Sequence, residues 1–488
     1  MSSILPPPPD ADSAADPAAT FVPPPVAAVS APFDQLPLPA AVIANLARLG
    51  YHTMTPIQAA ALPVALAGDD LIAQAKTGSG KTAAFALPLL NRLDARSFAV
   101  QALVLCPTRE LAEQVAQEVR RLARAEENIK VLSLCGGSPI RPQADSLAHG
   151  AHIVVGTPGR LMDHLSRGSL KLDALRALVL DEADRMLDMG FFDDIAYVAK
   201  ACPKDRQTLL FSATYPEGVV RLARQFMRQP REIALAEQHE ADKIRQRFYE
   251  VTREQRLAAV GLLLRHYRPE STLAFCNTKQ QCRDLVDVLH AEGIHALALH
   301  GDLDQRERDQ VLVRFANRSC SVLVGTDVAA RGLDIAGLEA VINVDVTPDP
   351  EVHVHRVGRT GRAERDGWAL SLVGPTEKNR VGNIARSQGF EPQWESIAEL
   401  QAENAAPLLP PMATLQILGG RKDKIRPGDV LGALTGEAGF AAEQIGKINV
   451  TEQSTYVAVR RNIVRQALKR LADGKLKGKK VRVRLLDE

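Results

Sequence analysis

Residues Ala75–Thr82 (AKTGSGKT) combine the residue types that bind a polyphosphate. Gly78 and Gly80 let successive backbone N–H groups point inward, and the helix predicted to follow adds its positive N-terminal end. Lys81 is placed to contact the terminal phosphates, and the Thr82 hydroxyl is placed to bind a magnesium ion that bridges them. Residue 75 is alanine where the usual pattern has glycine, so an accidental glycine turn is the alternative interpretation.

A second candidate site is acidic. Asp181-Glu-Ala-Asp184 directly follows the apolar run 177–180, at the position where a parallel sheet presents its ligand-binding edge. Asp181 can hold magnesium through its water shell, while Glu182 can orient and deprotonate an attacking water. The alternative is a solvated acidic helix start. A place after a strand and downstream of a phosphate loop favours the catalytic interpretation.

These residues require a sheet to position them. From residue 33 to about residue 230, apolar strand-like runs alternate with helix-length segments, which predicts a parallel sheet with helices on both faces. The runs are Leu71–Ala75, Ala102–Cys106, Val131–Leu134, Ile153–Gly156, Ala177–Leu180 and Thr208–Phe211. A second set has no phosphate loop and comprises Leu273–Phe275, Ala296–Leu299, Val322–Gly325, Val341–Val344 and Ala369–Leu372. We therefore predict two similar α/β domains, of which only the first binds the triphosphate.

The end of the chain differs in pattern and in charge. From Met412 the segments read β-α-β-β-α-β, the order of an RNA-recognition-motif fold. Residues 411–488 contain 16 Lys and Arg against 8 Asp and Glu, a net charge of +8, although the whole chain carries only +2. This small basic domain is expected to bind a polyanion.

The pattern predicts six segments. They are a disordered Pro/Ala-rich tail (1–32), a first α/β domain (33–232), a linker (233–243), a second α/β domain (244–392), a second linker (393–410) and the basic domain (411–488).

Composition indicates a cytoplasmic protein. The six cysteines form no CxxC pair, which favours free thiols in a reducing compartment. No apolar run approaches the length of a membrane span, and no Lys or Arg precedes Arg48, as a secretory signal would require. We expect no membrane association.

The motifs and their order resemble the DEAD-box ATP-dependent RNA helicases over nearly all of residues 33–362. Gly50–Gln58 (GYHTMTPIQ) resembles the family's adenine-reading segment, and alanine is the family's usual residue at position 75. The resemblance implies two tandem RecA-like domains, with ATP and Mg²⁺ as cofactors. It implies nucleotide binding by Phe33, Gln58, Ala75, Lys76, Thr77, Gly78, Ser79, Gly80, Lys81, Thr82 and Asp334, with Thr82 and Asp181 holding the metal.

The resemblance also implies catalytic, coupling and RNA-binding roles for other residues. It implies catalysis by Lys81, Asp181, Glu182, His355, Arg359 and Arg362, of which Arg359 and Arg362 would be arginine fingers. It implies that Asp184, Ser212 and Thr214 couple hydrolysis to strand separation. It places RNA contacts in the two α/β domains at Thr108, Arg109, Gly137, Thr157, Arg160, Asn277, Arg308, Thr326 and Arg331. Taken alone, the run from His355 to Arg362 is typical of a solvated basic helix end.

The basic domain resembles the RNA-binding domain of one subfamily, the DbpA subfamily, at RPGDVLGALTGEAG, IGKINV and DGKLKGKKVRVR. Stacking aromatics are scarce, with Tyr456 the main candidate, so basic residues including Arg461, Arg465, Lys477 and Lys480 are expected to contact RNA. The alternative is a basic face that only keeps the domain soluble.

The resemblance implies an RNA-stimulated ATPase that locally unwinds short RNA duplexes. It further implies a tether to a hairpin of large-subunit (23S) ribosomal RNA, pre-ribosomal particles as partners and a role in large-subunit assembly; we expect a monomer. The alternatives are an ATP-dependent RNA clamp that does not unwind, and a general RNA or DNA helicase.

Overall fold

A computed structural model describes residues 31–75, 78–234, 244–330, 337–361, 367–400, 408–437 and 439–486. These residues form two compact units, one on each side of residue 237 along the chain.

The first unit is built on a parallel sheet of seven strands. Their order is β3-β4-β2-β5-β6-β1-β7. The strands are β1 (Leu71–Gln74), β2 (Ala102–Leu105), β3 (Val131–Leu134), β4 (Ile153–Gly156), β5 (Ala177–Asp181), β6 (Gln207–Ser212) and β7 (Arg231–Ala234). All pairs are parallel, so every carboxyl end lies along one edge.

Helices cover both faces of this sheet. They are α1 (Ala40–Arg48), α2 (Pro56–Ala67), α3 (Lys81–Asn91), α4 (Arg109–Leu122), α5 (Ile140–Ala148), α6 (Pro158–Ser166), α7 (Ala183–Asp188), α8 (Phe192–Lys200) and α9 (Glu217–Phe226). Strand β2 shows why continuous apolar runs occur. Ala102 and Val104 belong to one buried cluster, while Leu103 and Leu105 belong to another on the opposite face.

The second unit begins with a similar sheet. The order is β10-β11-β9-β12-β13-β8-β14, again with all pairs parallel. The strands are β8 (Ile244–Glu250), β9 (Thr272–Phe275), β10 (Ala296–Leu299), β11 (Val322–Gly325), β12 (Ala340–Asn343), β13 (Gly367–Val373) and β14 (Trp394–Glu395). The helices are α10 (Arg256–Tyr267), α11 (Lys279–Ala291), α12 (Gln305–Ala316), α13 (Asp327–Ala330), α14 (Pro350–Val357) and α15 (Lys378–Gln388).

A small α+β domain ends the chain. Its antiparallel sheet has the order β16-β17-β15-β18. The strands are β15 (Met412–Ile417), β16 (Ile445–Val450), β17 (Thr455–Arg460) and β18 (Val483–Leu485), and the helices are α16 (Pro427–Gly432) and α17 (Val464–Asp473). Leu415 and Ile417 pack with residues of both helices, so one face of the sheet forms the core.

The other face of this small sheet contacts the preceding domain within the same unit. Asn317 and Ser319, which follow α12, both bond the Thr414 hydroxyl, at 3.2 and 2.6 Å. Asn449 on β16 donates to the Asn317 amide oxygen at 3.2 Å. Thr414 is fully buried as a result. Along β15, therefore, both faces of the sheet are covered.

The predicted fold class is confirmed: two parallel-sheet domains precede a small α+β domain. The sequence missed β7, β8 and β14, and β14 lies within the predicted linker 393–410. These strands are short or polar (β8 reads IRQRFYE), so they lack the apolar periodicity that marks a strand. At the other end, the Ala31 carbonyl accepts a bond from Met54 N–H at 2.8 Å, so the predicted tail 1–32 has ordered contacts at its last residues.

Within the part of the chain that the structure describes, no helix is both long enough and apolar enough to cross a membrane.

Candidate functional site

The phosphate loop joins β1 to α3. Gly78 and Gly80 have φ of 80° and 92°, and Gly80 is the N-cap of the helix that starts at Lys81. Such left-handed values favour glycine. Lys81 is only 6% exposed, and its ammonium has no hydrogen-bond partner among the described residues. Of the other predicted loop residues, Lys76 and Thr77 lie outside the described residues.

Asp181 ends β5 at the same edge of the sheet. Burial raises the pKa of its carboxyl to about 6, although the nearby positive charge of Lys81 lowers it. One carboxylate oxygen, Oδ1, has no hydrogen-bond partner within the described chain. A buried ammonium and a buried carboxylate oxygen without partners fit the phosphates and the magnesium ion predicted here, since buried charges are otherwise costly.

The described residues contain no group of three or more His, Cys, Asp or Glu side chains that could hold a metal ion. Magnesium in nucleotide sites usually takes one or two protein ligands together with phosphate oxygens and water. The two metal-binding residues predicted from the sequence, Thr82 and Asp181, agree in number with a site of this kind.

Glu182 adopts a left-handed backbone conformation, with φ and ψ both 53°. Its Oε2 atom accepts a bond from Arg185 Nη1 at 2.9 Å, and both side chains are about 4% exposed. Arg185 was not among the residues predicted from the sequence. Its spacing of three residues from Glu182 on a helix start was the available signal, because such pairs face each other.

The three predicted coupling residues lie together. Asp184 Oδ2 accepts bonds from the Ala213 and Thr214 N–H groups, both at 3.0 Å, and from the Thr214 hydroxyl at 3.1 Å. The Asp184 N–H donates to Ser212 Oγ at 3.2 Å. These bonds connect the loop after β6 to the start of α7, next to Glu182.

Gln58 connects the adenine segment to the phosphate loop. In α2 its Oε1 accepts the Thr55 N–H at 2.9 Å, and its Nε2 donates to the Gly80 carbonyl at 3.0 Å. Phe33 is 3% exposed and lies edge-on to Tyr51, with ring centroids 6.3 Å apart. The Gln58 amide is thus fixed between the start of α2 and the end of the phosphate loop.

The RNA-contact residues predicted in the first domain gather at loops after β2, β3 and β4. Thr108 caps α4, and the guanidinium of Arg109 lies across Gly136. Gly137 has φ of 81°, which keeps the loop tight. Thr157 precedes α6. Arg160 on that helix donates from Nη2 to the carbonyl oxygen of residue 138 at 3.0 Å.

In the second domain, an arginine that the sequence analysis did not single out organises the predicted residues. Arg356 is 2% exposed and bonds both carboxylate oxygens of Asp327, at 2.7 and 2.6 Å. It also donates to the Asp345 carbonyl at 2.7 Å. Asp345 in turn accepts the Asn277 N–H at 2.9 Å. The basic run at 355–362 was the available signal, but its first arginine forms a buried ion pair and hydrogen bonds within the domain.

The other predicted residues of this domain differ in placement. Arg308 donates to the Ala329 carbonyl at 2.6 Å, which holds α13 beside Thr326. His355 is half-buried, and Arg359 is 4% exposed. The structure does not describe Arg331, Asp334 or Arg362.

The predicted RNA contacts of the small domain separate into two kinds. Arg461 donates to the Pro410 carbonyl at 3.0 Å, and Lys477 forms an ion pair with Asp429 at 3.2 Å. Arg465 and Lys480 are exposed. Tyr456 is 6% exposed, so its ring offers no open face for a base in this structure.

Three segments of the chain match known families. Residues 55–222 match the DEAD/DEAH box helicases, and residues 254–364 match the helicase conserved C-terminal domain. Residues 414–485 match the DbpA RNA binding domain. The ATP-dependent RNA helicase DbpA of Escherichia coli is 54% identical over 92% of this chain and 98% of its own length. The ATP-dependent RNA helicase CshA of Listeria monocytogenes is 46% identical over 71% of this chain and 66% of its own. Among solved structures, Saccharomyces cerevisiae Dbp5 bound to RNA and ADP BeF3 has a TM-score of 0.68 and 32% identity, covering 75% of this chain and 96% of that one.

Proposed function

Because the chain belongs to the DEAD-box family of ATP-dependent RNA helicases, we propose that it hydrolyses ATP to separate short RNA duplexes locally during assembly of the large ribosomal subunit. The ATPase part of the proposal rests on two buried polar atoms at one edge of the first sheet, Lys81 Nζ and Asp181 Oδ1, which have no hydrogen-bond partner among the described residues.

The proposed division of labour follows from side-chain chemistry. Lys81 neutralises phosphate charge, while the N–H groups of the loop ending at Gly80 bind phosphate oxygens. Thr82 and Asp181 would hold magnesium, and a bound magnesium ion would neutralise charge that develops on the phosphates during transfer. Glu182 orients and deprotonates the attacking water, and Arg185 fixes one oxygen of its carboxylate.

Other proposed roles rest on the residues that match the family's motifs. Arg359 and Arg362 supply positive charge to the transferring phosphate. Asp184, through its bonds to Ser212 and Thr214, transmits changes at the nucleotide to the rest of the first domain.

We further propose that the small domain binds a hairpin of 23S ribosomal RNA. Its net charge of +8 and its exposed Arg465 and Lys480 support an RNA anchor, because cations that replace counterions on RNA gain affinity. We also propose that the protein is a cytoplasmic monomer with pre-ribosomal particles as partners. The proposed segment boundaries are those predicted from the sequence, except that the first domain includes Ala31 and the second includes β14.

Unwinding of matched RNA and DNA duplexes by the full chain, with and without ATP, tests the activity. We expect RNA unwinding that requires ATP, loss of ATP binding in Lys81→Ala, and retained binding without turnover in Glu182→Gln. ATP-dependent RNA binding without strand separation would instead indicate a clamp, and equal activity on DNA would indicate a general helicase.

Targeting is tested separately. RNA carrying the large-subunit hairpin should stimulate the ATPase of the full chain at lower concentration than RNA with a scrambled hairpin of equal length. Equal stimulation by the two RNAs at matched ionic strength would show that the small domain binds RNA without sequence specificity.

A further inference from the structure

Gln143 in α5 uses its whole side-chain amide inside the first domain. Nε2 donates to the Cys135 carbonyl and to Ser138 Oγ, both at 3.0 Å. Oε1 contacts Arg160 Nη1 at 2.8 Å and His164 Nε2 at 3.0 Å. A primary amide has two N–H donors and two acceptor positions, so these four contacts satisfy it completely.

The orientation of this amide is fixed by its partners. Arg160 can only donate and the Cys135 carbonyl can only accept, so the oxygen must face Arg160. His164 must then carry its proton on Nε2 in order to donate to that oxygen. Burial and the nearby charge of Arg160 both lower the pKa of His164, which favours this neutral form.

The hydrogen bonds of Gln143 connect its own helix, α5, to two other elements. Cys135 and Ser138 bracket the glycine pair of the loop after β3, while Arg160 and His164 lie on α6. Arg160 also bonds the Ser138 carbonyl at 3.0 Å, so loop, amide and guanidinium form a closed ring of hydrogen bonds. Only 11% of the Arg160 side chain is exposed. The Arg160 guanidinium and the loop are therefore held in one arrangement by the same hydrogen bonds.

We propose that Gln143 is a positioning residue for RNA, which holds the loop 135–138 and Arg160 in the geometry that receives two adjacent groups of an RNA backbone. The proposal rests on the proposed function of this surface in RNA binding. A surface ordered before RNA arrives loses less conformational entropy on binding than one that must be ordered by it. Gln143 therefore increases RNA affinity, and it does so through its hydrogen bond to Arg160.

The test uses the full chain and an unstructured single-stranded RNA. The RNA concentration that gives half-maximal ATPase stimulation is measured for wild type, Gln143→Met, Arg160→Ala and the double variant, at several salt concentrations. We expect Gln143→Met to raise that concentration about tenfold, as for the loss of one to two net hydrogen bonds. The rate at saturating RNA should stay within about twofold, because the substitution changes binding rather than the chemical step.

Two further readouts separate positioning from general damage. Because Gln143 acts through Arg160, the double variant should be at most about twofold weaker than the worse single variant, whereas independent effects would multiply. The slope of log RNA affinity against log salt concentration should be smaller in magnitude by about 0.7 in Arg160→Ala, the value for one lost phosphate contact on a single strand. In Gln143→Met this slope should equal that of wild type.

Matched controls keep the test decisive. Gln117→Met makes the same change on the exposed side of α4, where the amide donates to Glu113, and should leave RNA affinity at the wild-type value. If Gln143→Met lacks a cooperative thermal transition, Gln143→Asn replaces it, since a shorter amide stays polar and cannot span Cys135 and Arg160.

The outcomes distinguish the two ideas. If Arg160→Ala leaves both affinity and salt slope unchanged, the surface does not bind RNA and its proposed function fails, together with the positioning role. If Arg160→Ala weakens binding while Gln143→Met and Gln143→Asn match wild type, or if the effects multiply in the double variant, only the positioning role is overturned.

Discussion

His353 should make the second α/β domain sensitive to acid. Its imidazole on α14 is fully buried, and Nε2 lies 3.1 Å from Gln246 Oε1 on β8. Burial, and then the charge of Arg356, lower its pKa from 6.5 to about 4. The unfolded chain therefore takes up a proton at a pH at which the folded domain does not.

The size and sign of the effect follow from this difference. The stability that the neutral imidazole provides is complete above about pH 6.5 and is lost as the pH falls towards 4, at up to about 1.4 kcal/mol per pH unit. Between pH 7 and pH 5 the loss from His353 alone is about 2 kcal/mol. In His353→Gln, which can still donate to Gln246 but does not titrate, this part of the pH dependence should vanish.

Urea unfolding followed by tryptophan fluorescence measures the effect. Both tryptophans, Trp368 and Trp394, belong to the second unit, and Trp368 is on β13, which pairs with β8. The free energy of unfolding of wild type should fall by about 2 kcal/mol more than that of His353→Gln when the pH is lowered from 7 to 5. His266→Gln, on an exposed side chain of the same unit, is the control. Parallel pH dependence of wild type and His353→Gln would refute the reasoning.

Three other substitutions test the geometry of the separate domains. Gly80→Ala places a side chain at φ of 92° beside a buried amide, so a fluorescent-nucleotide titration should show at least about tenfold weaker ATP binding. Arg356→Gln leaves the Asp327 carboxylate without its bidentate partner and should cost about 2–4 kcal/mol in urea unfolding of the second unit. Gly420→Ala would drive a Cβ into the Thr451 carbonyl, so limited proteolysis should degrade the small domain and leave an active ATPase.

Matched glycines supply the controls. A Cβ at Gly382 in α15 or at Gly428 in α16 meets no atom within 4 Å, so alanine there should be tolerated. Wild-type nucleotide affinity in Gly80→Ala, an unchanged urea midpoint in Arg356→Gln, or a protease-resistant small domain in Gly420→Ala would each contradict the structural interpretation.

Much of the architecture could be predicted because its signals are local. The runs at β2 and β5 are apolar on both faces, as a strand covered by helices requires. Predicted site residues lie at or just after the end of each strand, with Asp181 ending β5 and Thr108 three residues after β2. The loop at Ala75–Thr82 needs glycines and a lysine next to one another in the chain. The types and order of these residues therefore determined the fold class and the nucleotide chemistry.

Tertiary structure decided which polar groups meet across long distances in the chain. Gln143 and Arg160 sit on different helices, and Arg356 reaches Asp327 across 29 residues, so no local period marks either pair. Tyr456 has the residue type of a stacking platform, yet it is buried. The physical reason is that burial and hydrogen-bond partners depend on how elements pack, whereas periodicity reports only which face of an element is apolar.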